Sequence, residues 1–250
     1  MIVVLSGEGQ TDLGACSNAQ GICNAEDFSP GPMCVLLDQL LVEPLGYSPR
    51  ETTPGAFHFI SEAALVERAR MRKRNPRAFL APGAKRERET GHFAANAWDL
   101  GVAAKELEVN GEIAIAVLFR DNDTTRSSAP TAWRIKWDSM LTGFQRAAFE
   151  RGVPMLPNPK SEAWLMCAAK AQPFQHCAAL EDLPGNDDAP NPIKDRLAAA
   201  LGGRKTAQQL CDWLSEHPFE ITGACEMPSF AAFYRQLQDA AHSAIQRRPG

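Results

Sequence analysis

Gly111-Glu112-Ile113-Ala114-Ile115-Ala116-Val117-Leu118-Phe119-Arg120-Asp121-Asn122-Asp123-Thr124-Thr125 is the stretch whose reading decides the fold. From Ile113 to Phe119 it is apolar without polar alternation, and it is β-branched at Ile113, Ile115 and Val117. Such a run fits a strand buried on both faces, as in a parallel sheet. It stops abruptly at Arg120, and Asp121-Asn122-Asp123 follows. In an extended segment residues i and i+2 point the same way, so Asp121 and Asp123 are expected to project together from the end of a central strand. Carboxylates held that close repel unless a cation or proton lies between them. Hard oxygen donors on such an edge suit Mg²⁺. The plain alternative is a polar turn that closes the strand.

Helices flank this strand. Phe93, Ala97, Leu100, Ala104 and Leu107 recur at helical spacing within His92–Glu108. Trp133, Trp137, Met140, Leu141, Phe144 and Ala148 do the same within Thr131–Arg151, with Gly152 as the expected cap. Helix-spaced tryptophans belong to a core more readily than to a base-stacking surface. Val153–Leu156 reads as a further short strand, and a helix beginning at Glu162 follows Pro157-Asn158-Pro159-Lys160-Ser161. Glu162 therefore lies just past another strand end, although a Glu in a first helical turn is favourable in any protein. Lys160 beside it is placed to meet a phosphate or to pair with an acid.

Upstream, Ile2–Leu5 reads as the first strand, running into Ser6-Gly7-Glu8-Gly9-Gln10-Thr11-Asp12. The glycines let the backbone turn and leave Glu8 accessible at a strand's carboxyl end, where open α/β sheets bind ligands. Gly-Lys-Ser/Thr is missing, so this is not a Walker phosphate loop. Residues 13–31 are small, polar and Gly-containing, and read as an inserted loop, a lid over the site. Pro32 opens a helix that carries Leu36, Leu37, Leu40 and Leu41 and is expected to end before Pro44. Phe57–Ile60 is a second-strand candidate, and Ser61 caps a helix through Arg74. In the last third, Ile193–Leu201 is a short helix, Thr206 caps another through Leu214, and Ser229 caps one running past Ala240. Strands alternating with helices in this way predict an α/β fold with a parallel sheet.

The 250 residues are 44% hydrophobic and 22% charged, an ordinary globular composition. No apolar stretch approaches a membrane span. The apolar start is too short for a signal peptide and lacks a basic leader, so a cytoplasmic protein is expected. The seven cysteines, an odd number without Cys-x-x-Cys spacing, argue against a disulfide framework. Cys16, Cys23 and Cys34 lack an accompanying His for zinc. The net charge of −4 does not suggest a generic nucleic-acid binder. Residues 68–88, however, set Arg68, Arg70, Arg72, Lys73, Arg74, Arg77, Lys85, Arg86 and Arg88 against Glu87 alone, a net +8. A basic segment on an acidic body resembles a phosphate-binding patch, or else a solvated helix end with its cations placed favourably.

Four short patterns occur in order along the chain: Glu8-Gly9-Gln10-Thr11-Asp12, Asp121-Asn122-Asp123, Glu162-Ala163-Trp164-Leu165 and Ser229-Phe230-Ala231-Ala232-Phe233. Together they resemble the Toprim family, and most closely its stand-alone bacterial members related to the overcoming-lysogenisation-defect (OLD) nucleases. The resemblance implies a Rossmann-like parallel-sheet core over residues 1–171, with the inserted loop and the basic segment within it. A helical C-terminal extension over 172–250 would pack on that core. It implies Glu8, Asp121 and Asp123 as catalytic and metal-binding residues and Glu162 as an added metal ligand; Lys160, from its place beside Glu162, is expected to join the catalytic residues by positioning the phosphate. The cofactor would be Mg²⁺ or Mn²⁺. Arg68, Arg70, Arg72, Lys73, Arg74, Arg77 and Arg120 would bind nucleic acid. The topoisomerase branch fits less well, because it needs a nucleophilic Tyr in a separate domain and only Tyr47 and Tyr234 occur. The expected activity is metal-dependent phosphodiester hydrolysis of nucleic acid, DNA in the first instance, in defence against phage or mobile DNA. A partner ATPase fits the same resemblance, self-association is left open and no membrane is involved. The rival expectations are a non-catalytic subunit of the same fold that binds nucleic acid or the ATPase, and a phosphotransferase acting on a small molecule.

Overall fold

A computed structural model of the chain describes residues 1–9, 11–74, 88–109, 111–123 and 129–247. The chain opens with β1 (Ile2–Gly7), passes through the short strands β2 (Gly14–Cys16), β3 (Ile22–Asn24) and β4 (Phe28–Pro30), and enters α1 (Pro32–Leu45). One turn, α2 (Pro49–Thr52), leads to β5 (Phe57–Ile60), α3 (Glu62–Arg74) and α4 (Arg88–Leu107). Then come β6 (Ala114–Phe119), α5 (Ala129–Arg146), β7 (Gly152–Met155) and α6 (Ser161–Ala169). The remainder is helical: α7 (Ile193–Ala200), α8 (Ala207–Glu216), α9 (Ile221–Ala224) and α10 (Pro228–Gln246).

Five strands form one sheet in the order β3-β5-β1-β6-β7. β5, β1, β6 and β7 are parallel, and β3 lies antiparallel to β5 at the edge. β1 and β6 are buried along their whole length, as the unalternating apolar runs require. α1 packs with α10, and α4 with α5; α10 lies on β6 and β7, while α4 lies on β1 and β6. The segment after residue 171 rests on this core through α8 and α10 against α1.

The strand order locates the ligand edge. From β1 the chain moves outward to β5, then returns past β1 to β6. The connections diverge between β1 and β6, and a crevice opens outside the carboxyl ends at such a switch point. Gly7 pairs with Phe119 in the parallel register, so Glu8 and Arg120 leave the sheet side by side.

Several sequence expectations are corrected. Residues 13–31 are not a structureless loop: β2 and β4 pair antiparallel, and β3 extends the main sheet. Strands this short carry too little alternating pattern to be read. The helix expected to reach Arg151 ends at Arg146, and Gly152 opens β7 instead. A Cβ on Gly152 would lie 2.1 Å from the Phe144 ring, so this glycine serves helix–strand packing. Ser229 lies inside α10, whose cap is Met227.

The cysteines are corrected as well: Cys16–Cys23 and Cys167–Cys177 are disulfide-bonded, with Cα atoms 5.7 and 5.4 Å apart. β2 and β3 lie side by side and bring the first pair together. The second pair closes where the chain folds back so that Phe174 N–H reaches the Cys167 carbonyl. Spacing rules for metal sites are blind to both closures. Among the described residues no helix is long and apolar enough to cross a membrane.

Candidate functional site

Four strand ends deliver side chains to one edge: Glu8 follows β1, Glu62 follows β5, Arg120 and Asp121 follow β6, and Ser161 and Glu162 follow β7. Backbone bonds continue the β6–β7 alignment past the strands. Asn122 N–H donates to the Pro157 carbonyl and Asp123 N–H to that of Pro159, at 3.1 and 3.0 Å. Asn122 is fully buried and donates to Asn158 Oδ1 at 2.8 Å. Asp121 is partly buried and Asp123 exposed.

The edge has an ion-paired half. Arg120 is only 3% exposed. Its Nη1 donates to Glu8 Oε2 at 2.8 Å, and its Nη2 lies 2.7 Å from Glu62 Oε1. Glu8 Oε1 also accepts the Asp121 N–H at 3.0 Å, across the switch point. The Arg120 bond, and after it the Arg120 and His92 charges, hold the Glu62 carboxyl below its ordinary pKa against the opposing effect of burial. Arg120 was expected to meet nucleic acid; its charge is instead spent inside the molecule, on two carboxylates that would otherwise repel.

The other half is acidic and under-compensated. Ser161 organises it: the backbone N–H donates to Asp121 Oδ1 at 2.9 Å, and Oγ donates to Asp12 Oδ1 at 2.8 Å. Burial, then the charges of Asp12 and Glu162, push the Asp121 carboxyl well above its ordinary pKa. Burial, offset in part by the Ser161 bond and by Lys194, raises that of Asp12. Burial and then the Asp12 charge raise that of Glu162. Burial first, and neighbouring carboxylate charge after it, thus raise all three carboxyls, an environment that a divalent cation would offset.

Asp123 is exposed and has a positive φ of 46°. It pairs with Lys160 at 3.3 Å, and Lys160 also reaches Asp187 at 3.0 Å. Both expected site residues are therefore at the edge, with their charges offset against each other. Arg68 pairs with Glu106 and Arg70 with Glu67. The side chains of Arg72, Lys73 and Arg74, and the whole of Arg77, lie outside the described residues.

Sequence reading missed four site residues. Asp12 stood in the quoted first pattern but four residues beyond Glu8, and no periodicity tied it to Asp121. Glu62 was findable: Ser61-Glu62-Ala63 follows β5 as Ser161-Glu162-Ala163 follows β7, so the rule that found Glu162 applies to it unchanged. Ser161 and Lys194 had no signal. Lys194, at the start of α7, is exposed and makes no ion pair with a described residue. Its charge nevertheless reaches both Asp12 and Glu162.

No family model, curated protein or solved structure matches the chain. Among the described residues no three His, Cys, Asp or Glu side chains are arranged to hold a metal ion. The donor chemistry at the edge fits a hard divalent cation all the same, because Asp12, Asp121 and Glu162 present carboxylate oxygens whose burial and mutual charge are only partly offset by Ser161, Lys160 and Lys194.

Proposed function

We propose that the chain is a divalent-metal-dependent phosphodiesterase acting on nucleic acid, with Mg²⁺ or Mn²⁺ held by Asp12, Asp121 and Glu162. The observation that carries this reading is the crowding of those three carboxyls around Ser161, outside a parallel-sheet switch point. A metal bound there supplies Lewis acidity and an activated water. Ser161 orients Asp12 and Asp121. Arg120 and the Asp121 amide fix Glu8 at the rim of the site, where its carboxylate is positioned to join the metal's ligands or to accept a proton from water. Lys194 supplies an unpaired cation for a phosphate oxygen, the role that Lys160, tied to Asp123 and Asp187, is less free to play. The Toprim resemblance and the +8 segment at residues 68–88 favour nucleic acid over a small phosphate ester. They extend the proposal to defence against phage or mobile DNA.

A second reading is a non-catalytic subunit of the same fold. One observation favours it: both oxygens of Glu8 are already engaged, by Arg120 and by the Asp121 amide. Cleavage of plasmid and of single-stranded oligonucleotide with Mg²⁺ or Mn²⁺, against an EDTA control, separates the two. The nuclease reading expects metal-dependent cleavage that Asp121→Asn reduces at least 100-fold without unfolding the protein. Binding without cleavage by the parent protein would select the subunit.

A further inference from the structure

A pocket of about 330 Å³ adjoins the proposed centre at Glu62. Gly7 and Gly9, on either side of Glu8, form part of its wall, and Glu62 shares the Arg120 guanidinium with Glu8. Its contents would therefore lie one guanidinium away from the Glu8 carboxylate. The volume is at the lower end of the roughly 300–1,000 Å³ of small-molecule sites, enough for one nucleoside and too small for a duplex.

The lining chemistry narrows the ligand. Among the described residues no Lys or Arg lines the pocket, and its charged side chain is the carboxylate of Glu62. A phosphate is repelled there, whereas a neutral heterocycle is not. Phe59, nearly fully buried, offers an apolar surface. Gly14 and Gly21, with positive φ values of 138° and 66°, shape the wall by letting Phe28 and Ser29, and Ser61, pack against their backbone.

Two polar groups remain to read the ring. Ser61 Oγ accepts the Ala64 N–H at 3.2 Å and keeps its own hydrogen to donate. Glu62 Oε1 takes both Arg120 and His92, while Oε2 has no partner among the described residues. A carboxylate oxygen accepts from an exocyclic amino group, as of cytosine or adenine, whereas at thymine O4 it meets another acceptor and is left only the ring N3–H. The Cys16–Cys23 bridge ties the opposite wall to the sheet, so the pocket is preformed.

We infer that this pocket receives one nucleobase, an amino-bearing base in preference to thymine, next to the phosphodiester presented to the acidic cluster. The inference rests on the phosphodiesterase reading above, and its test separates the two. Ala63 lines the pocket and is exposed, so Ala63→Trp fills it without touching the core. Ala19→Trp, also at an exposed lining position, is the second variant should the first lose its fold by circular dichroism.

The probes are dCMP, dTMP and deoxyribose 5-phosphate, titrated calorimetrically into the full chain with Mg²⁺, alongside Mg²⁺-dependent cleavage of oligo-dC and oligo-dT. The expected result is binding of dCMP at least tenfold tighter than dTMP or deoxyribose 5-phosphate, with the difference lost in the filled variant. The oligo-dC preference in cleavage should collapse in parallel. Equal affinity for dCMP and deoxyribose 5-phosphate, or an unchanged base preference in both tryptophan variants, overturns the inference. Cleavage without base dependence leaves the nuclease standing and removes the pocket. Pocket-dependent dCMP binding with no cleavage of either oligonucleotide keeps the pocket and removes the nuclease.

Discussion

Arg120 closes the run of apolar residues that forms β6, and its burial between Glu8 and Glu62 makes it a bridge across three parallel strands. Removing it leaves two neighbouring carboxylates without their shared cation. Both are about a third exposed, so water screens part of the repulsion. Arg120→Met is expected to cost about 2 kcal/mol in urea unfolding, below the 3–5 of a fully buried pair.

The opposite half of the edge has a pH signature. The folded-state pKa values of Asp12, Asp121 and Glu162 are raised, by burial first, above unfolded values of about 4. Between those values and the raised ones the native chain holds protons that the unfolded chain has released. Metal-free stability therefore falls as pH rises through that window. Asp121→Asn should match the parent near pH 4 and exceed it at pH 8, which parallel unfolding curves at the two pH values will show.

Asp121 and Glu162 were legible because each lies a few residues past the end of an apolar strand. Asp12 was not placed, because only the fold carries it from the β1 loop to Ser161, 149 residues away. Lys194 stood in the short helix read at Ile193–Leu201, and nothing local pointed from it to the site.

Among the elements, α6 and α10 account for two of the sequence patterns. Trp164 packs its ring against Phe230 and Phe233, with centroids 5.2 and 5.3 Å away. Its Nε1–H donates to Ser229 Oγ at 2.9 Å, and Ser229 Oγ donates to Glu181 Oε1 at 2.6 Å. Glu181 also accepts from the Ser229 N–H and from Asn158, which receives Asn122. A buried polar chain thus links α10 to the loop that carries Asp121. In these two patterns Trp164, Ser229, Phe230 and Phe233 are structural, and Glu162 alone faces the proposed chemistry. Ser229→Ala strands the indole N–H and removes a donor from Glu181, so a loss of about 2 kcal/mol is expected from thermal or urea unfolding.

The long strands and helices were legible from periodicity, since each buries a face several residues long. The 13–31 segment was not, because bridge and hairpin contacts rather than a hydrophobic face hold its three-residue strands. Its Cys16–Cys23 closure, with that of Cys167–Cys177, is tested by thiol labelling of denatured, unreduced protein. Three of the seven cysteines, Cys34, Cys211 and Cys225, should react. Seven reactive thiols would remove both bridges and the roughly 2–3 kcal/mol that each short loop contributes.

At the scale of the whole molecule, the parallel order β5-β1-β6-β7 makes one edge of the sheet the meeting point of residues spread from Glu8 to Lys194. The acidic crowding lies at that edge, while the positive charge of the chain is concentrated in residues 68–88. On the proposed reading, an acidic edge and a sequence segment of net +8 suit a substrate that is anionic along its length, with the metal neutralising charge at one point only.

The central claim is that Asp12, Asp121 and Glu162 bind one divalent ion, and it can be tested without knowing the substrate. The measurement is the melting temperature at pH 8 as Mg²⁺ or Mn²⁺ is titrated into metal-free protein, for the parent, Asp121→Asn and Glu162→Gln. The account predicts a saturable rise for the parent as the ion relieves the carboxylate repulsion. Asp121→Asn should begin higher and respond little, with Glu162→Gln in between. A parent that does not respond, or an Asp121→Asn variant that rises as the parent does, would contradict it.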